Sequence, residues 1–190
     1  MKYAALIGFV LMVSAQWSAP LSMILESETT IDDGEEFRFK TRPVDPSDPF
    51  RGKYITLDFE AENYKPGNID QLNFPDGSLV YVTVEEDPLG FAHIQSLSAD
   101  PPETDNFFSA EFQYTYDNTA TLHFPFKRFY LEETKASEAE QLYWSSRSDT
   151  TMVCFAKVKI LKGDAKLVDV VVNDSSIVDI VRRINAGKAD

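Results

Sequence analysis

A chain of 190 residues with one cysteine, two histidines and a formal charge of −13 excludes several classes of function at once. A lone cysteine permits neither an internal disulfide nor a cysteine-based zinc cluster, and a field this acidic repels nucleic acid and anionic lipid surfaces. The length beyond the first 25 residues suits one domain of ordinary size that buries its own core.

The first element is apolar. From Tyr3 to Leu25 there are 23 residues without a charge, bracketed by Lys2 and Glu26. At ~1.5 Å rise per residue this run is long enough to cross a hydrocarbon core of about 30 Å. Two readings separate at Val13-Ser14-Ala15, a small-residue pattern that a signal peptidase could cut. The apolar run continues past that point through Trp17, Leu21, Met23, Ile24 and Leu25, which favours an uncleaved anchor over a signal peptide. Lys2 before the span and Glu26, Glu28, Asp32 and Asp33 after it leave the N-terminus in the cytoplasm by the positive-inside rule. Residues 1–25 are therefore expected as a single-pass anchor in the cell (inner) membrane, and 26–190 as one β-rich domain outside the cytoplasm, in the periplasm.

Beyond the span, short alternating segments divided by turn chemistry read as β architecture. The predicted strands are Glu35 to Thr41, Lys53 to Ala61, Leu79 to Glu85, Gly90 to Ser98, Phe107 to Tyr116 and Thr121 to Phe126, with Asp117-Asn118 as a hairpin turn. A helix is predicted over about Glu132 to Ser146, with Ala136, Ala139, Leu142 and Tyr143 on one face. Met152 to Leu161 and Ala165 to Val172 form a second hairpin about Lys162-Gly163-Asp164, and Ile177 to Ile184 a short amphipathic helix. The fold class expected is mainly β (α+β): a transmembrane helix, then an antiparallel sandwich or barrel-like domain with one or two peripheral helices. Cys154, in a strand-like apolar run, is expected as a buried, inert thiol.

The densest turn chemistry lies between the first two strands. Pro43, Pro46 and Pro49 fix their own φ and push the residues before them towards extended conformations, so the loop loses little entropy on ordering. Asp45 and Asp48 are turn formers, Gly52 permits a positive φ, and the Arg51 guanidinium is a bidentate partner for one of the carboxylates. These residues read either as a self-satisfied structural loop or as an oxygen-rich metal or ligand site. Arg51 competes for the same oxygens and repels a cation, so no metal is expected there.

The stretch Arg42-Pro-Val-Asp-Pro-Ser-Asp-Pro-Phe-Arg-Gly-Lys-Tyr-Ile-Thr-Leu-Asp-Phe59 resembles the signature of the GDYXXLXY family, in which a loop of the type PVDPxDPFRGDY leads into a strand. Lys53 stands where the family has an acid, and Phe59 where it has a final Tyr, while Tyr54 and Leu57 keep the pattern. Lys127-Arg-Phe-Tyr-Leu-Glu132, leading into an Ala/Glu-rich helix, is similar to the way the family continues. The likeness stops at about Asp169. It implies an N-terminal membrane anchor and a β-rich domain, and no particular reaction.

Catalytic motifs are absent from the sequence: no G-x-S-x-G elbow, no H-E-x-x-H, no phosphate-cradling G-x-x-x-x-G-K and no C-x-x-C. His93 and His123 each fall within a strand-like run and read as packed or half-exposed strand residues. Glu85, Glu86 and Asp87 read as solvated turn residues beside Pro88. The numerous aromatic residues, among them Phe107, Phe108, Phe112, Tyr114 and Tyr116, suit a sandwich core or, alternatively, an aromatic groove for a peptide or glycan. Two function classes follow. The first is a non-enzymatic, membrane-tethered module without a cofactor that binds a protein partner, such as a multi-pass membrane protein, in envelope assembly or stability. The second is a small envelope hydrolase or glycan-binding protein working through Asp45, Asp48 and Arg51.

Overall fold

The computed structural model of the protein describes residues 2–42, 54–67, 73–130 and 153–187. The loop residues Pro43 to Lys53 and the helix predicted over 132–146 lie outside them. Among the described residues one long helix, α1 (Lys2–Asp33), precedes twelve strands: β1 (Glu35–Arg42), β2 (Tyr54–Thr56), β3 (Asp58–Phe59), β4 (Asn63–Tyr64), β5 (Ser78–Glu86), β6 (Ala92–Ser98), β7 (Phe107–Tyr116), β8 (Thr119–His123), β9 (Arg128–Tyr130), β10 (Cys154–Leu161), β11 (Asp164–Val172) and β12 (Ser175–Ser176). The C-terminal helix is α2 (Ile177–Gly187).

The strands form two five-stranded antiparallel sheets, ordered β12-β11-β10-β1-β3 and β4-β8-β7-β5-β6, with β2 and β9 as a separate ribbon. Period-two alternation decides what each buries. In β1, Phe37, Phe39 and Thr41 point inward, while Glu36, Arg38 and Lys40 do not. Phe39 meets Phe108 and Phe124 edge-on at 6.2 and 5.9 Å, so the inner faces of the two sheets share one phenylalanine-rich core with Phe59 and Phe126. The β10–β11 turn stitches the sheets at one corner. There the Gly163 N–H donates to Phe107 O at 2.9 Å, and Gly163 O accepts from the Ser109 N–H at 3.2 Å.

Three predicted strands are divided or end differently. Lys53 to Ala61 divides into β2, β3 and a 3₁₀ turn (Glu60–Glu62), because Leu57 gives its N–H to Lys127 O at 2.8 Å instead of continuing a ladder. The strand predicted from Thr121 to Phe126 starts at Thr119 and ends at His123: the Phe124 N–H goes to the Glu62 carboxylate and Pro125 has no N–H to offer. The strand predicted from Gly90 starts at Ala92, since the Asp87 carboxylate takes the N–H groups of Leu89 and Phe91 into a turn. Cys154 is half-buried rather than buried.

Strand β7 holds a further correction. Strict alternation puts Phe108, Ala110, Phe112, Tyr114 and Tyr116 on one face, but the register shifts between Phe112 and Tyr114 against β8. This bulge at Gln113 turns the last two tyrosines outward, 52% and 77% exposed, while Phe112 remains in the core. Those two tyrosines therefore line no interior groove.

Helix α1 leaves an apolar, exposed segment behind it and docks by its last turns on β10 and β11. Leu6, Phe9, Leu11 and Trp17 project into open space, and this is the one described helix apolar and long enough to cross a membrane. Thr30 is buried, and its hydroxyl lies 2.9 Å from Asp164 Oδ2 and 3.1 Å from Glu26 O. Lys159 Nζ donates to Gly34 O at 2.8 Å. Only Gly34 separates α1 from β1, and a Cβ there would stand 2.3 Å from Thr30 O and 3.1 Å from Ile160 O, so a residue without a side chain is required for the close approach.

Candidate functional site at the root of the signature loop

The strands on either side of residues 43–53 define the root of the segment that carries most of the sequence-predicted site. On the departing side, Thr41 and Arg42 of β1 pair with Phe59 and Asp58 of β3. On the returning side, Tyr54, Ile55 and Thr56 pair with Tyr130, Phe129 and Arg128 of β9. Of the predicted site residues, Tyr54 belongs to β2 and Leu57 is fully buried in the core. Pro43, Asp45, Pro46, Asp48, Pro49, Arg51 and Gly52 lie outside the described residues.

The chemically unusual group at this root is Glu62, which sequence reading missed. It ends the 3₁₀ turn and is 3% exposed. Its Oε1 accepts from the Phe124 N–H at 2.9 Å, and its Oε2 accepts from the Phe59 N–H at 3.3 Å. Lys127 Nζ stands 2.9 Å from Oε2 and 3.5 Å from Asp58 Oδ1. One carboxylate thus ties together β3, the segment after β8 and the approach to β9, the three pieces that flank the loop's return.

Burial pushes the Glu62 carboxyl up to about 7, and a hydrogen bond with Asp58 adds to the rise. The Phe124 N–H and the Lys127 ammonium oppose it. The Glu62 carboxyl can therefore hold a proton near neutral pH. A carboxyl group tuned to this range has the protonation chemistry of a general acid or base. Here both its oxygens are taken by backbone N–H groups and Lys127, and the side chain has almost no open surface, so the arrangement serves to hold the loop root. The local signal for Glu62 was its place three residues after Phe59, where a glutamate reaches back to the first N–H of a turn, but the Ser or Thr that completes a capping box is missing. The Lys127 contact spans 65 positions of sequence and left no local trace.

His93 and His123 occupy β6 and β8, as read from their strand-like context, and both are exposed. Among the described residues, no group of three His, Cys, Asp or Glu side chains could hold a metal ion.

The model of the GDYXXLXY protein family matches residues 16–170 of the chain, which is more than half of its length. The chain belongs to the GDYXXLXY family. The match includes the signature loop, Tyr54 and Leu57 and all the residues of the Glu62 network, and it ends within β11, before β12 and α2. No curated protein and no solved structure matches the chain.

Proposed function

We propose that this GDYXXLXY protein is a non-enzymatic module tethered to the cell membrane by α1, with its β domain outside the cytoplasm, and that it binds a multi-pass membrane protein in envelope assembly or stability. The observation that carries this reading is the seating of α1 on β10 and β11 through Thr30, Asp164, Lys159 and Gly34. A tether with one residue between helix and first strand has no slack, unlike a flexible linker. It holds the domain at one height and one orientation above the span. That constraint lowers the ordering cost of meeting a partner in the same bilayer. A catalyst acting on a diffusing substrate gains nothing from it. The charge distribution around the span, with Lys2 before it and acids after it, supports the orientation.

Carbonate extraction with intact-mass measurement tests the tether, and co-purification after detergent extraction tests the partner. Full-length protein retained in the membrane together with one stoichiometric membrane protein is the expected result. A soluble product beginning at Gln16 would remove the anchor, and a domain purified alone but carrying a substrate or metal would remove the partner reading.

A further inference from the structure

The first sheet and the two edges of the second converge on an open seam. Strands β4 and β6 are the outer strands of the second sheet, yet Tyr64 Oη of β4 reaches Gln95 O of β6 at 3.3 Å, and β1 passes beside them. Between these elements lies a cleft of ≈ 320 Å³ whose walls include Glu60, Asn63, Tyr64, Lys65, Phe91 and His93.

Two of the walls are rings held in place. The Tyr64 ring is fixed by its hydroxyl's bond across the seam. Phe91 is held by its own turn, where Asp87 Oδ1 accepts from the N–H groups of Leu89 and Phe91 at 2.8 and 2.9 Å. Its ring packs edge-on against Phe155 at 5.8 Å, and the Lys40 ammonium lies over one of its faces, 4.5 Å from the centroid. Glu60 and Lys65 also line the cleft, and no ion-pair or hydrogen-bond partner for either occurs among the described residues. One is an open acceptor and the other an open donor.

The charges in the cleft balance. Lys40 and Lys65 are matched by Glu60 and Asp87, so the cleft has little formal charge with which to draw in a free anion or cation. An apolar ligand would strand its polar groups. The groups suit a molecule whose face lies on aromatic rings while its rim both donates and accepts hydrogen bonds, and each hydroxyl of a sugar does both. The volume is at the small end for ligand sites and takes about one or two sugar rings. We infer that the cleft between β1, β4 and β6 is a carbohydrate subsite, with Tyr64 and Phe91 as its ring walls and Glu60 and Lys65 as the hydrogen-bonding pair.

The test is saturation-transfer NMR on the full chain in lipid nanodiscs, since maltoside detergents themselves carry a sugar. The probes are the N-acetylglucosamine trimer, maltotriose and inorganic phosphate. Saturation of ring protons is expected for at least one trisaccharide, with the affinity falling about tenfold in Glu60→Gln and in Lys65→Gln, both at exposed positions. Phe91→Ala should abolish the transfer. The inference is overturned if neither trisaccharide is saturated, if the signal is unchanged in both Glu60→Gln and Lys65→Gln, or if phosphate displaces the sugar, which would make the cleft a cation-lined anion site.

Discussion

Glu62 Oε2 and Lys127 Nζ stand 2.9 Å apart at the root of the signature loop, the carboxylate buried and the ammonium about one-fifth exposed. Burial of Glu62, only partly offset by Lys127, makes stability depend on pH. The folded-state pKa of Glu62, about 7, exceeds its ordinary 4.5, so between these values the folded form binds more protons than the unfolded form. Its contribution is fully present below about 4.5 and is lost as pH rises through about 7. Glu62→Gln should flatten the fall in stability between pH 5 and 7, followed by thermal unfolding. An unaltered profile would mean that Glu62 titrates elsewhere.

Lys127→Met leaves Glu62 buried without its cation. The expected cost is about 2 to 4 kcal/mol at pH 8, where the variant must either bury an unpaired carboxylate or take up a proton. At pH 5 the protonated acid needs no cation, so the cost should shrink. Equal losses at both pH values would assign the damage to packing of the lysine stem.

Gly34→Ala puts a methyl against two backbone oxygens, and neither can move as a flexible side chain would. A loss of about 1 to 3 kcal/mol is expected, with faster proteolysis between Glu26 and Gly34. Thr30→Val removes the bond to Asp164 and should cost about 1 kcal/mol. Wild-type protease resistance in Gly34→Ala would show that the helix seat has slack.

The bulge at Gln113 separates neighbouring aromatics of β7 into core and surface. Phe112→Ala should cost about 3 to 5 kcal/mol. Tyr114→Ser and Tyr116→Ser should each stay within about 0.5 kcal/mol of the parent. Denaturant unfolding of the three variants checks the partition, and a large loss in Tyr116→Ser would place it back in a packed face.

Asp48→Ala and Arg51→Ala in the signature loop are each expected to cost about 1 to 3 kcal/mol, as for a self-satisfied structural turn. Calorimetric titration with calcium and magnesium should give no saturable heat. Unchanged stability combined with loss of the co-purifying partner would make the loop a binding site, and micromolar calcium binding lost in Asp45→Asn would make it a metal loop.

Local patterns carried much of the architecture. The charge-free run to Leu25, the alternation in β1 and β5, and the Asp117-Asn118 turn, where both residues take positive φ, are decided by neighbours a few positions apart. The signature stretch was legible as a family motif, and the family model covers it. Long-range pairings were not legible. Strand ends at Leu57 and Phe124 depend on acceptors supplied by Lys127 and Glu62, the burial of Glu62 depends on both sheets closing over it, and the face shown by Tyr114 depends on one inserted residue against β8. Spacing along the chain encodes which face a residue prefers. Which distant group meets it there, and so which carboxylate is desolvated and which helix end is clamped, is decided only when the sheets pack.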